Sequence, residues 1–124
     1  MVRSFFELDV YQNLYKAMIT ILTKVVPKLP KEERFDLADQ MRRACKAPPA
    51  LIAEGYAKKH HQKAWIKYLY DSIGECNEMI VHLSCVKDVY SNYVDKNLCE
   101  ELIKAYDISG KQLYRLAESW RAFP

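Results

Sequence analysis

The longest apolar repeat of the chain lies within residues 61–90 and constrains the fold more than any other feature. Apolar side chains recur there at intervals of three and four, the spacing that keeps them on one face of an α-helix. They are Trp65, Leu69, Ile73, Cys76, Ile80, Leu83 and Val86. At about 1.5 Å per residue this helix is about 45 Å long. Its apolar face has to be buried by other helices, which favours an all-α fold.

Three more segments have the periodicity of amphipathic helices, at residues 9–26, 31–55 and 97–120. Asp9 is expected to cap the first of them, and Asn97, in a capping box with Glu100, the last, because these side chains can accept hydrogen bonds from free backbone N–H groups. Short connections place successive helices side by side. The sequence therefore predicts an antiparallel up-down-up-down four-helix bundle that forms a single domain, residues 1–124.

Two adjacent prolines, Pro48 and Pro49, stand inside the second of these segments. Each removes a backbone donor, and each disfavours helical geometry in the residue before it. We therefore expect the second helix to be kinked or broken there, with Pro49 starting a short segment that ends near Gly55. The apolar face of the whole segment is predicted to consist of Phe35, Ala38, Met41, Cys45, Pro48 and Ile52.

Composition excludes several classes of protein. The charges of Arg3, Glu7 and Asp9 leave no signal-peptide core at the N-terminus, and no apolar run approaches the roughly 20 residues of a membrane span. The four cysteines form no C-x-x-C pair, which argues against zinc and thioredoxin chemistry. We expect a cytoplasmic protein without a membrane partner, whose cysteines are small, reduced core residues.

Basic charge is concentrated in residues 24–67, where eleven Lys and Arg against five Asp and Glu give a net +6. Residues 68–124 carry six against nine, a net −3. Basic side chains can contact phosphates, and exposed aromatic rings can stack on unpaired bases. The candidate nucleic-acid-binding residues are Arg42, Arg43, Lys46, Lys58, Lys59, Lys63 and Lys67. The alternative is a solvated helix end whose aromatic residues belong to the core.

Acidic residues suggest interfaces rather than catalysis. Asp71, Glu75 and Glu78 share a face of the third helix with His82, but a di-metal carboxylate bundle needs Glu-x-x-His motifs on two helices. We interpret the three carboxylates as an interface that meets basic residues of the second helix of a neighbouring subunit. Glu54 is interpreted as a structural carboxylate paired with an arginine across the bundle or across a subunit interface.

No grouping of residues predicts catalysis. The sequence shows no Ser–His–Asp or Cys–His–Asp arrangement, and its three scattered glycines form no phosphate-binding loop. We expect no catalytic residue, no cofactor and no metal, and therefore a protein that is not an enzyme.

Residues 39–45, with the pair Arg42-Arg43, and residues 49–56, with Ile52-Ala53-Glu54-Gly55, resemble the signature of the four-helix-bundle family of 23S ribosomal RNA intervening-sequence proteins. This family includes the accessory variability proteins of diversity-generating retroelements. Residues 6–12 and 74–78 resemble further family motifs, so the resemblance covers nearly the whole chain. The chain departs from the family pattern at Ala50-Leu51, where Ser-Asn is usual.

The resemblance implies a homopentamer of four-helix bundles with a positively charged surface. It also implies a non-enzymatic role in association with nucleic acid, either RNA or DNA. In the retroelement branch the pentamer also binds a reverse transcriptase, which is the alternative function for this chain.

Overall fold

A computed structural model describes residues 4–122, and within that range every regular element is helical. The four main helices are α1 (Asp9–Thr20), α2 (Leu37–Tyr56), α3 (Gln62–Val89) and α4 (Lys96–Arg121). The predicted all-α fold class and four-helix bundle are confirmed. Among the helices within residues 4–122, none has the length and hydrophobicity that a membrane span requires.

The caps of α1 and α4 differ from the prediction. Asp9 is the first residue of α1 rather than its cap, and the cap position belongs to Leu8, which has no side-chain acceptor. Asp95 caps α4, because its carboxylate accepts a hydrogen bond of 3.0 Å from the backbone N–H of Asn97. Asn97 is therefore already helical. Its predicted role as a cap is wrong, since a competent acceptor precedes it by two residues.

The end of α1 and the start of α2 are irregular. After Thr20 the chain makes a wide π-helical turn, Ile21–Val25, and then two short 3₁₀ turns, Val26–Lys28 and Lys31–Glu33. Residues 31–36 consist of the last of these turns and a non-helical connection, so the helical phase of α2 does not extend back to them. Phe35 consequently projects outward with 86% of its surface exposed, so its predicted place in the core is wrong.

The helix α2 continues through Pro48 and Pro49 without a break, and both rings are buried. Met41 lies before the prolines and Ile52 after them, and both are completely buried. Packing of the two halves thus maintains one helix despite two missing backbone donors. The predicted break is wrong, whereas the kink stays a prediction because a continuous helix can still bend at proline.

The helices α2 and α4 each pack against both α1 and α3, which leaves α1 and α3 diagonally opposed. The side chain of Gln62 at the start of α3 donates to the backbone oxygen of Trp120 near the end of α4. The phenol of Tyr90, just after α3, donates to the carboxylate of Glu33, just before α2. These contacts make α3 antiparallel to α2 and to α4. The up-down-up-down order of the whole bundle stays a prediction.

The buried face of α3 agrees with the apolar repeat at Trp65, Leu69, Cys76, Leu83 and Val86. Ile73 and Ile80 are only half-buried, and Ser72 and Met79 occupy buried positions instead. This face is wide because α2 and α4 pack against α3 from two sides. A single three-and-four repeat therefore identifies the face but not every residue in it.

Three of the four cysteines, Cys45, Cys76 and Cys99, are buried as free thiols, as predicted, and Cys85 is half-buried. Burial raises the pKa of the Cys45 thiol to about 11 and that of the Cys76 thiol to about 12. The neighbouring Tyr106 is fully buried, and burial raises the pKa of its phenol as well. The centre of the core therefore contains protonated, unreactive thiols.

Candidate nucleic-acid interface

The end of α2 is joined to α3 through a chain of polar contacts around Tyr68. The phenol of Tyr68 donates a 2.9 Å hydrogen bond to the carboxylate of Glu54. The ammonium of Lys58 donates to the same phenol oxygen at 3.1 Å. Gly55, between Glu54 and the turn, is buried against Tyr68 and Trp65. The segment Ile52-Ala53-Glu54-Gly55 thus fixes how the turn leaves α2. Within residues 4–122 the partner of Glu54 is Tyr68 rather than an arginine, and a pairing with an arginine across a subunit interface stays a prediction.

Aromatic rings pack beneath this turn. Trp65 is buried, and the rings of Tyr56 and Trp120 stand edge-on to it with centroids 5.9 Å and 6.4 Å away. The ammonium of Lys59 lies 3.9 Å from the centroid of the Tyr56 ring, a cation–π geometry. Trp65 therefore belongs to the core, whereas the half-buried Tyr56 and Tyr68 border the surface that carries the lysines.

Four lysines surround this turn and form what we call the connection cluster, Lys58, Lys59, Lys63 and Lys67. Residues 55–70 contain these four lysines and two histidines but no Asp or Glu. Lys63 is exposed and makes no ion pair within residues 4–122. Lys67 pairs with Asp71 at 2.8 Å, and such exposed pairs are weak enough to be exchanged for a phosphate. The positive charge of the turn is therefore compensated only at its edges, by Asp71 and, through Tyr68, by Glu54.

The other three candidate residues lie elsewhere, in the first half of α2, and we call Arg42, Arg43 and Lys46 the α2 cluster. Arg43 and Arg42 approach the carboxylate of Asp39 at 3.2 Å and 3.8 Å. Arg43 precedes Lys58 by fifteen residues, which is about 22 Å along a helix. Within one subunit the structure therefore separates the seven candidate residues into two clusters.

The model of the 23S rRNA-intervening sequence protein family matches residues 6–115. The chain belongs to that family. The match spans α1, α2, α3 and most of α4, and it includes both basic clusters and the Ile52-Ala53-Glu54-Gly55 segment. Searches of the curated proteins and of the solved structures returned no significant match.

In this member of the 23S rRNA-intervening sequence protein family, the acidic residues of α3 lie beside α2. Glu75 and Glu78 line a shallow groove together with Gln40, Arg43 and Ala47. Arg43 therefore already shares a groove with these carboxylates inside one subunit, although its ion pair is with Asp39. Their contact with basic α2 residues of a neighbouring subunit stays a prediction.

The carboxylates differ in their partners. Asp71 accepts from Lys67, and the carboxylate of Glu78 lies 3.2 Å from the ring Nε2 of His82. Burial, and then the negative charges of Glu78 and Asp71, raise the pKa of Glu75. Glu75 makes no ion pair in the described range. A cation placed in this groove would therefore be stabilised.

Further residues near the connection cluster were not identified from the sequence. Arg121, at the end of α4, lies 5.8 Å from the centroid of the Tyr70 ring and 3.8 Å from the carboxylate of Glu118. Tyr70 itself donates to Glu118 at 3.0 Å. Only the antiparallel contact of α3 with α4 brings these three together. Residues 4–122 contain no group of three or more His, Cys, Asp or Glu that could hold a metal ion.

Proposed function

We propose that this protein is a non-enzymatic, homo-oligomeric nucleic-acid-binding protein, with five subunits as its family resemblance implies. The observation that carries the proposal is the connection cluster, in which four lysines stand in a stretch of sixteen residues without one carboxylate. Membership of the 23S rRNA-intervening sequence protein family supports an association with RNA. Reduced cysteines are consistent with work in the cytoplasm.

Binding in this proposal is mainly electrostatic. Lysine ammonium groups neutralise phosphates and release counterions, so affinity falls steeply with salt. One subunit offers few contacts, but a symmetric oligomer repeats the connection cluster and multiplies the local potential. The α2 cluster contributes further phosphate contacts where subunits bring it close to a neighbour's turn. Base preference is expected to be weak, because no pattern of Arg with Asn or Gln on a recognition helix is present.

The test compares two triple variants of equal charge change. One variant removes three of the four lysines of the connection cluster, Lys58→Gln, Lys59→Gln and Lys63→Gln. The other removes three lysines toward the opposite end of the bundle, Lys87→Gln, Lys96→Gln and Lys104→Gln. Filter binding of a single-stranded RNA is measured from low to physiological salt. Each lost phosphate contact is expected to lower the slope of log binding constant against log salt concentration by about 0.7 in magnitude. The slope of the cluster variant should therefore fall by about 2, and that of the control variant should change little. Equal losses of RNA binding in both variants would show that only net charge matters, and would refute the connection cluster as the binding site.

The alternative function is that of an accessory protein of a diversity-generating retroelement, which binds a reverse transcriptase as well as RNA or DNA. It is favoured by the opposite end of the bundle, where Phe35, Val89 and Tyr93 are exposed and offer a protein partner apolar surface. The gene neighbourhood distinguishes the two. A neighbouring reverse transcriptase with a template repeat supports the alternative, and insertion in a ribosomal RNA gene supports the first function.

A further inference from the structure

The outward side of α1 carries an apolar surface that the bundle does not cover. Phe6, Tyr15 and Ile19 keep 60%, 45% and 42% of their surfaces exposed. Ring contacts connect Phe6 to Tyr11 and Tyr11 to Tyr15, each with centroids 6.0 Å apart. These residues line an open groove of about 720 Å³. The aromatic residues therefore form a continuous surface rather than scattered exposed side chains, and such surfaces mark interaction sites.

The position of this surface on α1 shows that it is additional to the core. Val10, Leu14 and Ala17 already bury the inward side of α1 against the bundle. A surface helix of a globular protein normally carries polar residues opposite its core face. The outward side of α1 instead combines Tyr11, Tyr15 and Ile19 with polar residues, so it carries more apolar surface than the core requires.

The charges beside this surface indicate the chemistry of its partner. Lys16 and Lys24 line the groove, and no acidic residue of the described chain does. We call Phe6, Tyr11, Tyr15, Lys16, Ile19 and Lys24 the α1 face. Its partner should offer small or apolar residues for the rings and carboxylates for the two lysines.

The chain itself contains such a partner surface in the α2–α3 groove. Ala47 lines this groove as a small residue, and Glu75 and Glu78 supply two carboxylates. Arg43 is in the same groove, but its guanidinium is paired with Asp39. Glu75 has no cationic partner in the described range, so a lysine from outside would fill a vacant ion-pair position.

We infer that the α1 face of one subunit docks into the α2–α3 groove of a second copy of this chain. Tyr15 and Ile19 then cover Ala47, and Lys16 and Lys24 approach Glu75 and Glu78. The contact is head-to-tail, because two different surfaces meet, and contacts of this kind close into rings when the rotation allows. This inference rests on the proposed oligomer and adds the surfaces that build it.

The test uses two double variants with opposite defects. Tyr15→Glu with Ile19→Glu disables the α1 face, and Glu75→Lys with Glu78→Lys disables the groove. All four side chains are exposed or half-buried, and circular dichroism checks that each variant folds. Light scattering is expected to give 14.6 kDa for each variant alone. Mixed together they should form a dimer of about twice that mass, since each retains the surface that the other lacks.

Charge reversal across the proposed contact provides an independent test. Lys16→Glu and Lys24→Glu, added to Glu75→Lys and Glu78→Lys, should restore the mass of the wild-type oligomer. Tyr114→Glu, at an α4 residue that is more exposed than Tyr15 and lines neither groove, is the control and should leave that mass unchanged. An oligomeric wild type whose mass neither double variant lowers would overturn the docking and leave the proposed oligomer intact. A wild type of 14.6 kDa would overturn both.

Discussion

A Cβ atom at Gly55 would lie 2.5 Å from the Cβ of Tyr68. It would also meet the ring of Trp65 at 2.8 Å, and Trp65 is buried and held by its neighbours. The backbone of α2 therefore approaches α3 so closely that no other residue fits. This contact gives the glycine of the Ile52-Ala53-Glu54-Gly55 segment a steric function, independent of any role in binding.

We expect Gly55→Ala to lower the free energy of unfolding by about 1–3 kcal/mol, because overpacking against Tyr68 and Trp65 outweighs the gain in helix propensity. Gly74→Ala and Gly110→Ala are matched controls, since a Cβ at either position meets no atom within 4 Å. Each control should raise stability by about 0.5–1 kcal/mol. Urea unfolding measures all three, and a Gly55→Ala protein as stable as the controls would refute the steric account.

The phenol of Tyr106 lowers the stability of the core. Its oxygen is buried and has no hydrogen-bond partner within residues 4–122. An unsatisfied buried hydroxyl costs about 1–3 kcal/mol, so Tyr106→Phe should raise the free energy of unfolding by about 1 kcal/mol. Tyr114→Phe, at an exposed tyrosine, is the control and should change little. A clear loss of stability in Tyr106→Phe would indicate that the hydroxyl has a role in the native core.

Buried thiols should make stability fall in alkali. The folded pKa of Cys76 is raised from 9.0 to about 12, so the unfolded chain loses this proton first as pH rises. The contribution is therefore fully present below pH 9 and is lost between pH 9 and 12, with a slope of up to about 1.4 kcal/mol per pH unit for each thiol. Urea unfolding at pH 8 and pH 10.5 should show a smaller decrease in Cys76→Ala than in the wild type. Parallel decreases would contradict this.

Periodicity predicted the bundle because the spacing of Trp65, Leu69 and Cys76 depends only on helical geometry. The contacts of Tyr68 with Glu54 and Lys58 could not be predicted in the same way, because they depend on how closely α2 and α3 approach. The cap of α4 was misplaced because two acceptors stand two residues apart and local sequence does not rank them.

The candidate site was predicted only in part. The residue types identified the basic side chains, and the family resemblance indicated their expected role. Neither predicted that these side chains fall into two separate clusters. The separation of Arg43 from Lys58 follows from the rise of a continuous helix, and the expected break at Pro48-Pro49 concealed it. The α1 face was missed because periodicity assigns the apolar residues of an amphipathic helix to its core face and does not distinguish an exposed group such as Tyr15 and Ile19.

Arg43→Glu distinguishes two roles for the α2 cluster. The Arg43 side chain is 74% exposed, and within residues 4–122 its ion pair is with Asp39. Arg43 also lines the α2–α3 groove, where a glutamate would add a third carboxylate for the neighbour's Lys16 and Lys24, so we expect the oligomer to persist and nucleic-acid affinity to fall. Loss of one phosphate contact should reduce the log–log salt slope by about 0.7–0.9. Arg115→Glu, on the exposed side of α4, controls for charge reversal alone. Sizing and filter binding are measured on both variants. Dissociation of the Arg43→Glu oligomer would instead show that the guanidinium itself holds the subunits together, and unchanged assembly and affinity would exclude both roles.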